Sequence, residues 1–326
     1  MKRERVARIF LITLMVLLGT AIFLGWRRAA SNVLIRARMP ENGGWSITDL
    51  TIRVGEPLHL RLTSDDVAHG FAVGRVDFQP ADIYPGEITE VTLKFDQPGR
   101  YTFYCTRWCG ADHWRMRGTI EVIGNGSQAI PSEDFQPPLY LELGLEIDAP
   151  HPAAVTPAVK PTASQASEFL NRVPPKYLSQ AYYQTHSPAD VWQELRLHPD
   201  LAALADDQIW ALVAAIWRQN TRPEDLAAGR ALYTRNCAAC HGENGDGRGV
   251  MANSIKADPG QMAGHTNAGP ADFTRAESML GASPALLQGK IVRGGMGTGM
   301  PYWGPIFTEK QIWTLVAYLW TFQFIY

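Results

Sequence analysis

Alternating apolar and polar residues mark the first half of the chain, between residues 49 and 123. Apolar side chains occupy every second position at Leu58, Leu60, Leu62, Val91, Leu93, Phe95, Tyr101 and Phe103. The turn residues Pro85-Gly86 and Pro98-Gly99 separate these stretches. A period of two with such turns predicts short strands in an antiparallel sandwich over residues 40–124.

The second half of the chain has the helical period instead. The pattern predicts a helical insert at residues 165–221 and a mostly helical domain at residues 222–326, with Gly-rich interruptions at residues 242–249 and 294–299. One run, residues 206–217, nearly repeats in the last helix. The repeated residues are Gln208, Ile209, Trp210, Leu212, Val213, Ala214 and Trp217, which recur 103 positions later as Gln311, Ile312, Trp313, Leu315, Val316, Ala317 and Trp320.

Between the two halves the composition shifts to Pro, Ala, Ser and Thr, over residues 125–164. Such a composition lacks the apolar residues from which a core is built, and it favours extended chain. We therefore predict a partly disordered linker at these residues.

The N-terminal segment, residues 1–28, has the pattern of a membrane anchor. An uncharged run of eighteen residues begins at Ile9 and ends at Trp26, with basic residues on both sides. A helix of that length spans about 27 Å, close to the hydrocarbon core of a bilayer. A cleaved signal peptide is the alternative, but the run is long for one and no clean small-x-small cleavage site follows it. Because both flanks are basic, the positive-inside rule alone leaves the orientation open.

Bulk composition changes this picture only by exclusion. The chain has 326 residues with 30 basic and 32 acidic side chains, a formal net charge of −2. No basic stretch is long enough to follow a nucleic-acid backbone, so we expect no nucleic-acid partner. A hydrophobic content of 46% and a charged content of 19% suit a globular protein with sizeable cores.

The four cysteines form two local pairs, Cys105 with Cys109 and Cys237 with Cys240, and each pair has a histidine close behind it. A disulfide framework is the default for a small exported domain. This spacing instead favours cofactor ligation.

The first pair lies in a loop of soft donors. Cys105, Cys109, His113 and Met116 place two thiols, an imidazole and a thioether within twelve residues, a donor set that copper selects. One loop cannot enclose two ions, and His69 in the earlier Asp-Val-Ala-His-Gly-Phe segment offers a further donor. A single thiolate makes a mononuclear blue-copper site, whereas two thiolates four positions apart can bridge a pair of copper ions that share one electron.

Residues 49–123 resemble the CuA domain of cytochrome c oxidase subunit II in this loop, in the Pro-Gly turn and in the segment that carries His69. The resemblance implies an all-β cupredoxin-like Greek-key sandwich with a binuclear copper centre. The implied ligands are the bridging Cys105 and Cys109, His69 and His113 on one ion each, Met116 as an axial ligand and the backbone carbonyl of Arg107.

Two qualifications concern the copper loop. Many members of that family have a glutamate at the position of Arg107, and its side chain also reaches a magnesium site. The arginine puts such a magnesium site in doubt but not the copper, because any residue supplies a carbonyl. A structural disulfide or a zinc site between Cys105 and Cys109 is the alternative, although zinc prefers Cys-x-x-Cys spacing and gains nothing from Met116.

The second pair belongs to Cys237-Ala-Ala-Cys240-His241, the attachment signature of a c-type haem. In that chemistry the two thiols add across the haem vinyl groups, and the histidine becomes the proximal ligand. A Gly-rich loop ending at Met300 offers a soft ligand for the opposite face, and His/Met ligation raises the haem potential. Met296 and His265 are the alternatives for this second ligand. A thioredoxin-like redox pair would need a strand–helix–strand context that the pattern lacks.

Residues 222–326 resemble a monohaem class I cytochrome c. The likeness lies in Cys-His-Gly-x-x-Gly-x-Gly, a Pro-x-x-Phe-Thr segment from Pro270 to Thr274, Met300-Pro301 before Trp303, and the closing amphipathic helix. It implies an all-α cytochrome c domain with one covalent haem c and Met300 as axial ligand. The repeated helix at residues 206–217 then has two interpretations, convergence of two amphipathic helices or a degenerate, haem-less cytochrome module; we favour the second.

Both implied cofactors are one-electron carriers, and no nucleophile, phosphate loop or open metal site accompanies them, so we expect no catalytic site on this chain itself. The resemblance implies an electron-transfer subunit that takes electrons from an external donor at haem c and passes them through CuA to the catalytic membrane subunit of a haem-copper oxidase. A tethered cytochrome has a higher effective concentration than a diffusing one.

Three other functions remain open from the sequence. One is the electron-entry subunit of a CuA-type nitric oxide reductase. Another is a relay to nitrous oxide reductase, whose CuA loop also resembles this one, with Trp108 before the second cysteine. The third is copper storage or delivery, a binding function without electron flux.

The cofactors also indicate a location. Covalent haem attachment takes place outside the cytoplasm in bacteria, and CuA domains of this family face the same side. We therefore expect a single-pass protein of the bacterial cytoplasmic membrane with its N-terminal helix in lipid, its N-terminus inside and both cofactor domains on the extracytoplasmic side.

Overall fold

The computed structural model describes residue 15 and residues 32–110, 113–124, 137–253, 269–295 and 300–326. The chain divides into two compact units, Met1–Ser132 and Glu133–Tyr326. The predicted anchor, Ile9 to Trp26, lies outside the described residues apart from Met15. Within the part of the chain that is described, no helix combines the length and the apolar character needed to cross a bilayer.

The first unit is a β-sandwich. Its strands are β1 (Asn32–Ala37), β2 (Asp49–Arg53), β3 (Leu58–Ser64), β4 (His69–Val73), β5 (Ala81–Ile83), β6 (Thr89–Leu93), β7 (Gly99–Tyr104) and β8 (Arg117–Ile123). One sheet has the order β1-β3-β6 and the other β2-β8-β7-β4-β5. The predicted alternation is confirmed as alternating burial: Leu58, Leu60 and Leu62 are buried, while Arg61 between them is exposed.

Strand direction differs from the prediction at two places. β1 pairs with β3 in parallel, with Ile35 opposite Leu62, and β2 pairs with β8 in parallel, with Leu50 opposite Ile120. The prediction of a wholly antiparallel sandwich is therefore wrong for these two pairs. Alternation shows which face of a strand is buried, but it carries no information about the direction of the neighbouring strand.

An aromatic cluster fills the sandwich beneath the candidate copper loop. The rings of Trp45, Phe71 and Phe103 contact one another with centroid distances of 5.6–6.0 Å. Trp45 also lies against the ring of His69, at 6.5 Å. Because Phe71 and His69 are both on β4, the core packing fixes the strand that carries His69.

The second unit is helical. Its α-helices are α1 (Leu139–Glu142), α2 (Gln180–Thr185), α3 (Pro188–Arg196), α4 (Asp206–Gln219), α5 (Pro223–Asn236), α6 (Ala238–His241), α7 (Ala276–Met279), α8 (Pro284–Arg293) and α9 (Glu309–Leu319). α5 and α9 pack closely because Gly229 has no side chain: a Cβ there would lie 2.8 Å from Cβ of Tyr318 and closer still to the carbonyl oxygen of Thr314.

Substitution of Gly229 tests this helix crossing. We expect Gly229→Ala to lower the denaturant midpoint of the helical circular dichroism signal, because overpacking costs about 1–3 kcal/mol. This cost exceeds the ~1 kcal/mol that alanine contributes to helix propensity. The control is Ala228→Ser, since Ala228 is exposed on the same helix and such surface changes stay within about 0.5 kcal/mol. An unchanged midpoint for Gly229→Ala would contradict the close crossing.

The repeated helices share more than their sequence. In α4 the amide N–H of Ala205 donates to Gln208 Oε1 at 2.8 Å, and in α9 the N–H of Thr308 donates to Gln311 Oε1 at the same distance. The equivalent tryptophans, Trp217 and Trp320, are buried and pack edge to face at 5.8 Å. The origin of residues 165–221 as a haem-less cytochrome module stays a prediction.

Residues 137–164 differ from the linker that their composition predicted. The N–H of Ala163 donates to the carbonyl of Ile325 at 2.8 Å, and Lys160 Nζ donates to the carbonyl of Thr321 at 2.7 Å. α1 packs on α8 through the ring of Tyr140. This part of the predicted linker is therefore packed on the helical unit. The rest, residues 125–136, lies outside the described residues.

Candidate copper and haem sites

The candidate copper ligands come from β4 and from the loop between β7 and β8. The ligand atoms of His69, Cys105 and Cys109 lie within 4.8 Å of one another, and all three residues are buried. His69 Nδ1 is 3.8 Å from Cys105 Sγ, and His113 Nδ1 is 3.4 Å from Cys109 Sγ. Both cysteines are free thiols, which excludes the disulfide alternative in this structure.

The two weaker donors lie at the same place. The sulfur of Met116 is 3.2 Å from Cys109 Sγ, and the carbonyl oxygen of Arg107 is 3.2 Å from Cys105 Sγ. All six predicted copper ligands are therefore brought together. Two thiols, two imidazoles, a thioether and a carbonyl are a soft donor set that fits copper better than zinc, which has no use for the thioether.

A glycine lets the loop approach the strand. A Cβ on Gly70 would lie 3.2 Å from the amide nitrogen of Arg107 and would overlap the side chain of Thr106. The N–H of Gly70 also donates to Cys105 Sγ at 3.4 Å. Gly70 thus allows the loop to pack against β4 and helps to fix the position of Cys105 Sγ.

Asp66 orients the imidazole of His69. Its Oδ1 is 2.8 Å from His69 Nε2, so the ring carries its proton on Nε2 and turns Nδ1 towards Cys105. Burial tends to raise the pKa of Asp66, but hydrogen bonds from His69 and from the N–H groups of Met39 and Val67 lower it to about 2. Burial likewise opposes a rise in the pKa of His69, and Cys105 and Asp66 still raise it.

Loss of the Asp66 carboxylate should weaken copper binding. We expect Asp66→Asn to lower copper affinity about 10–100-fold, as is typical when the partner of a ligating histidine is removed. Competition with a copper chelator measures this. Asp65→Asn is the matched control, because Asp65 pairs with Arg36 and Arg38. Equal losses in both variants would contradict an orienting role for Asp66.

The thiols of Cys105 and Cys109 shift each other's pKa. The pKa of Cys105 is lowered because Cys109 donates a hydrogen bond to its sulfur, and the neighbouring imidazoles of His113 and His69 lower it further, against the effect of burial. The pKa of Cys109 is raised for the corresponding reason, since its proton is held by Cys105. Metal binding by both sulfurs would require both thiols to lose their protons.

The side chain of Arg107 forms an ion pair with an aspartate. Its Nε and Nη2 donate to the two carboxylate oxygens of Asp82 on β5, both at 2.6 Å, and these donations lower the pKa of Asp82. The side chain at the position of the family's glutamate is therefore a cation in a bidentate ion pair. A guanidinium offers no oxygen ligand to magnesium, and the doubt about a magnesium site at this position stays a prediction.

The haem attachment motif lies at the junction of α5 and α6. Cys237 lies between α5 and α6, and Cys240 and His241 are in α6, so the pair has helices on both sides rather than the strands of a thioredoxin-like site. Burial raises the pKa of Cys237 to about 12 and also raises the pKa of Cys240. A redox-active cysteine pair would instead have a lowered pKa.

The candidate proximal histidine is held in one tautomer. His241 Nδ1 donates to the carbonyl of Ala271 at 3.0 Å, which leaves Nε2 free to bind iron. Its ring stacks on Phe273 with centroids 4.6 Å apart. The carbonyl of Phe273 in turn accepts from Gln323 Nε2 at 2.6 Å, so the C-terminal segment supports the histidine. The arrangement fits a covalent haem with a histidine ligand.

The second axial ligand is less closely defined. Met300 follows α8, and its carbonyl accepts from the N–H of Gly295 at 3.2 Å. The alternatives Met296 and His265 lie outside the described residues. Met300 as the axial ligand therefore stays a prediction.

Three functional neighbours were missed by reasoning from the sequence. Asp66 stands three positions before His69, and a carboxylate at that spacing from a ligating histidine is a signal that was available. The carbonyl of Ala271 lies inside the Pro-x-x-Phe-Thr segment, which was noted only for its likeness. Asp82 had no signal, because it lies 25 positions from Arg107.

Comparison with known proteins matches both units. Residues 46–123 match the family described as cytochrome C oxidase subunit II, periplasmic domain, and residues 226–323 match the cytochrome c family. The subunit 2 of cytochrome c oxidase from Thermus thermophilus is 34% identical over 79 residues, which are 24% of this chain and 58% of that protein. The nitrous-oxide reductase of Ralstonia nicotianae is 33% identical over 82 residues, 24% of this chain and 12% of that protein.

Solved structures match only part of the chain. The periplasmic domain of oxidase subunit II from Bradyrhizobium japonicum is 22% identical, with a TM-score of 0.25, and the likeness covers 29% of this chain and 84% of that domain. The chain spans about half of the length of the curated subunit 2 relatives that it matches, 58% of one and 46% of another. A subunit II domain implies copper, and a cytochrome c domain implies haem. The chain therefore joins, in one polypeptide, a segment that matches the periplasmic domain of cytochrome c oxidase subunit II at residues 46–123 and a segment that matches cytochrome c at residues 226–323.

Proposed function

We propose that this chain is the electron-transfer subunit of a haem-copper terminal oxidase, relaying electrons from a covalently bound haem c through a binuclear CuA centre to the catalytic subunit. The observation that carries the proposal is the buried cluster of His69, Cys105 and Cys109 in a chain that also contains a Cys-x-x-Cys-His motif. Two electron-carrier sites on one polypeptide suit a relay better than storage.

The residues that would hold each cofactor follow from the two sites. Cys105 and Cys109 would bridge two copper ions, His69 and His113 would each bind one of them, and Met116 and the carbonyl of Arg107 would be the weak ligands. Cys237 and Cys240 would carry the haem covalently, and the axial ligands would be His241 and Met300. When bound, both cofactors supply reversible transfer of one electron.

The protein's own contribution is rigidity and the exclusion of water. His69, Cys105, Cys109 and Met116 are all at most 5% exposed. Asp66 holds His69 in position, and the backbone N–H of Cys105 donates to the carbonyl of Met116 at 3.1 Å. A dry site with fixed ligands rearranges little when its charge changes, which is what an electron relay requires.

The anchor and the location are part of the proposal. Residues 9–26 would span the bacterial cytoplasmic membrane once, with the N-terminus inside and both cofactor domains outside. The partners would be the membrane lipid, a haem-copper catalytic subunit and an external electron donor. The match to the periplasmic domain of oxidase subunit II supports the extracytoplasmic side.

A second candidate acceptor is nitrous oxide reductase. The observation in its favour is the 33% identity of 82 residues to such an enzyme, together with Trp108 before Cys109 in the loop. A CuA-type nitric oxide reductase would use the same relay. These candidates differ in the partner subunit and not in the chemistry of this chain.

Purification in mild detergent tests the proposal. We expect a haem-copper catalytic subunit to co-purify, and the complex to consume oxygen with an external reduced cytochrome or other donor. If the complex consumes nitric oxide but not oxygen, the partner is a nitric oxide reductase rather than an oxidase. Bound copper that exchanges freely and is silent in a redox titration would instead indicate storage or delivery.

A further inference from the structure

The segment before the insert wraps onto the helix that precedes Met300. We call residues 137–153 the strap. The ring of Tyr140 lies against Gly289 of α8, where a Cβ would be 2.7 Å from Cγ of Tyr140. The N–H of Ala153 donates to the carbonyl of Glu277 at 2.8 Å. The strap thus contacts both α8 and α7.

An ion pair attaches the strap to the last residue of α8. Arg293 Nη1 donates to Asp148 Oδ2 at 2.5 Å, and Nη2 donates to Oδ1, so the contact is bidentate. Asp148 also raises the pKa of Arg293. Bidentate guanidinium–carboxylate pairs add geometric specificity as well as energy. A cation at a helix C-terminus is further favoured by the helix dipole.

The C-terminal turn of α8 is bonded to the segment that contains Met300. The N–H of Gly295 donates to the carbonyl of Met300 at 3.2 Å, and the N–H of Trp303 donates to the carbonyl of Ile291 at 3.3 Å. The N–H of Gly304 donates to the carbonyl of Val292 at 3.0 Å. The carbonyl of Met300 and the backbone at residues 303 and 304 are therefore hydrogen-bonded to the end of α8 and to the residue two positions after it.

We propose that the strap, through Asp148 and Tyr140, positions Met300 as a haem ligand by holding the end of α8. This inference rests on the proposed function only in that Met300 is taken as the axial ligand. Asp148 and Tyr140 are positioning residues, because they act through Arg293 and Gly289 and not on the haem. The strap thereby strengthens the ligation of the haem iron by Met300.

Competition with imidazole measures how firmly the methionine is held. The full-length protein carrying haem is titrated with imidazole in the ferric state, and the far-red absorption band of methionine-ligated haem is followed. We expect Asp148→Asn to raise the apparent imidazole affinity about fivefold, which is the factor for a well-formed ion pair near the surface. Tyr140→Ala should act in the same direction, and Asp148→Glu, which keeps the carboxylate, should restore most of the wild-type affinity.

Asp225→Asn is the matched control, because it breaks another bidentate pair, between Asp225 and Arg222, at the start of α5. Its imidazole affinity should equal that of the wild type. Equal shifts in Asp148→Asn and Asp225→Asn, or no shift in Asp148→Asn, would overturn the positioning role. Met300→Ala separates the two claims. If this variant keeps the far-red band, the assignment of Met300 as the ligand fails. If Met300→Ala loses the band but the strap variants leave the imidazole affinity unchanged, only the positioning role of the strap is contradicted.

Discussion

Cys109→Ser should abolish the mixed-valence copper signal while leaving the haem content unchanged. Serine nearly matches cysteine in size, so the buried loop keeps its packing, but a hydroxyl is a poor bridge between two soft ions. Paramagnetic resonance of the copper-loaded protein measures the outcome. We expect the hyperfine pattern from two equivalent copper nuclei to disappear, and any remaining copper to give a mononuclear spectrum.

The reciprocal variant is the control for this experiment. Cys237→Ser should impair covalent haem attachment and leave the copper signal intact, because the two cysteine pairs belong to different compact units. Retention of the two-copper pattern in Cys109→Ser would defeat the binuclear assignment. Loss of both cofactors in either variant would indicate misfolding rather than ligand loss. A circular dichroism spectrum that differs from that of the wild type identifies that case.

Met300→Ala should lower the haem reduction potential and change the visible spectrum of the ferric protein. The thioether stabilises ferrous iron, so its removal favours the ferric state. Axial ligands set haem potentials over a range of about 0.8 V, and the shift should be a sizeable part of that range. The haem itself should stay attached, because Cys237 and Cys240 are unchanged. Potentiometric titration measures the potential, and a pyridine haemochrome spectrum measures attachment.

Met279→Leu is the control, since Met279 is buried in the same unit and a volume-conserving exchange keeps the core. Its potential and spectrum should equal those of the wild type. An unchanged spectrum in Met300→Ala would exclude this residue as the ligand. Met296→Ala and His265→Ala then test the two alternatives in the same assay.

The local part of the fold was predictable, and the long-range part was not. The alternation at Leu58, Leu60 and Leu62 identified a strand and its buried face, because side chains of a strand point to opposite sides in turn. The parallel partner of that strand, β1, depends on contacts between residues far apart in the chain, such as Ile35 and Leu62. The alternation of apolar residues in β1 or β3 does not indicate which strands pair or in which direction.

The same division holds for the sites. Cys105, Cys109, His113 and Met116 share one loop, so their spacing alone indicated a metal site, and His69 was found through its own short motif. The hydrogen bond from His241 to Ala271 spans 30 positions. It reflects how the helical unit folds back on itself, which no local pattern reveals.

Composition misled at residues 137–164, for an identifiable reason. A Pro- and Ala-rich segment lacks the residues from which a core is built, yet a few of its side chains suffice to attach it. Tyr140 fits against a glycine, and Asp148 meets a guanidinium. Such contacts depend on single residues and leave average composition unchanged.

The strand-like bridge between Thr162 and Ile325 bears on how the haem domain is to be cut out for separate expression. A fragment trimmed to the family boundary near residue 226 would lack both the partner of its own C-terminal segment and the ring that covers Gly289. The arginine at the end of its α8 would lack its carboxylate partner, Asp148. Truncation should therefore begin before residue 137, so that the excised domain carries its own N-terminal wrapping.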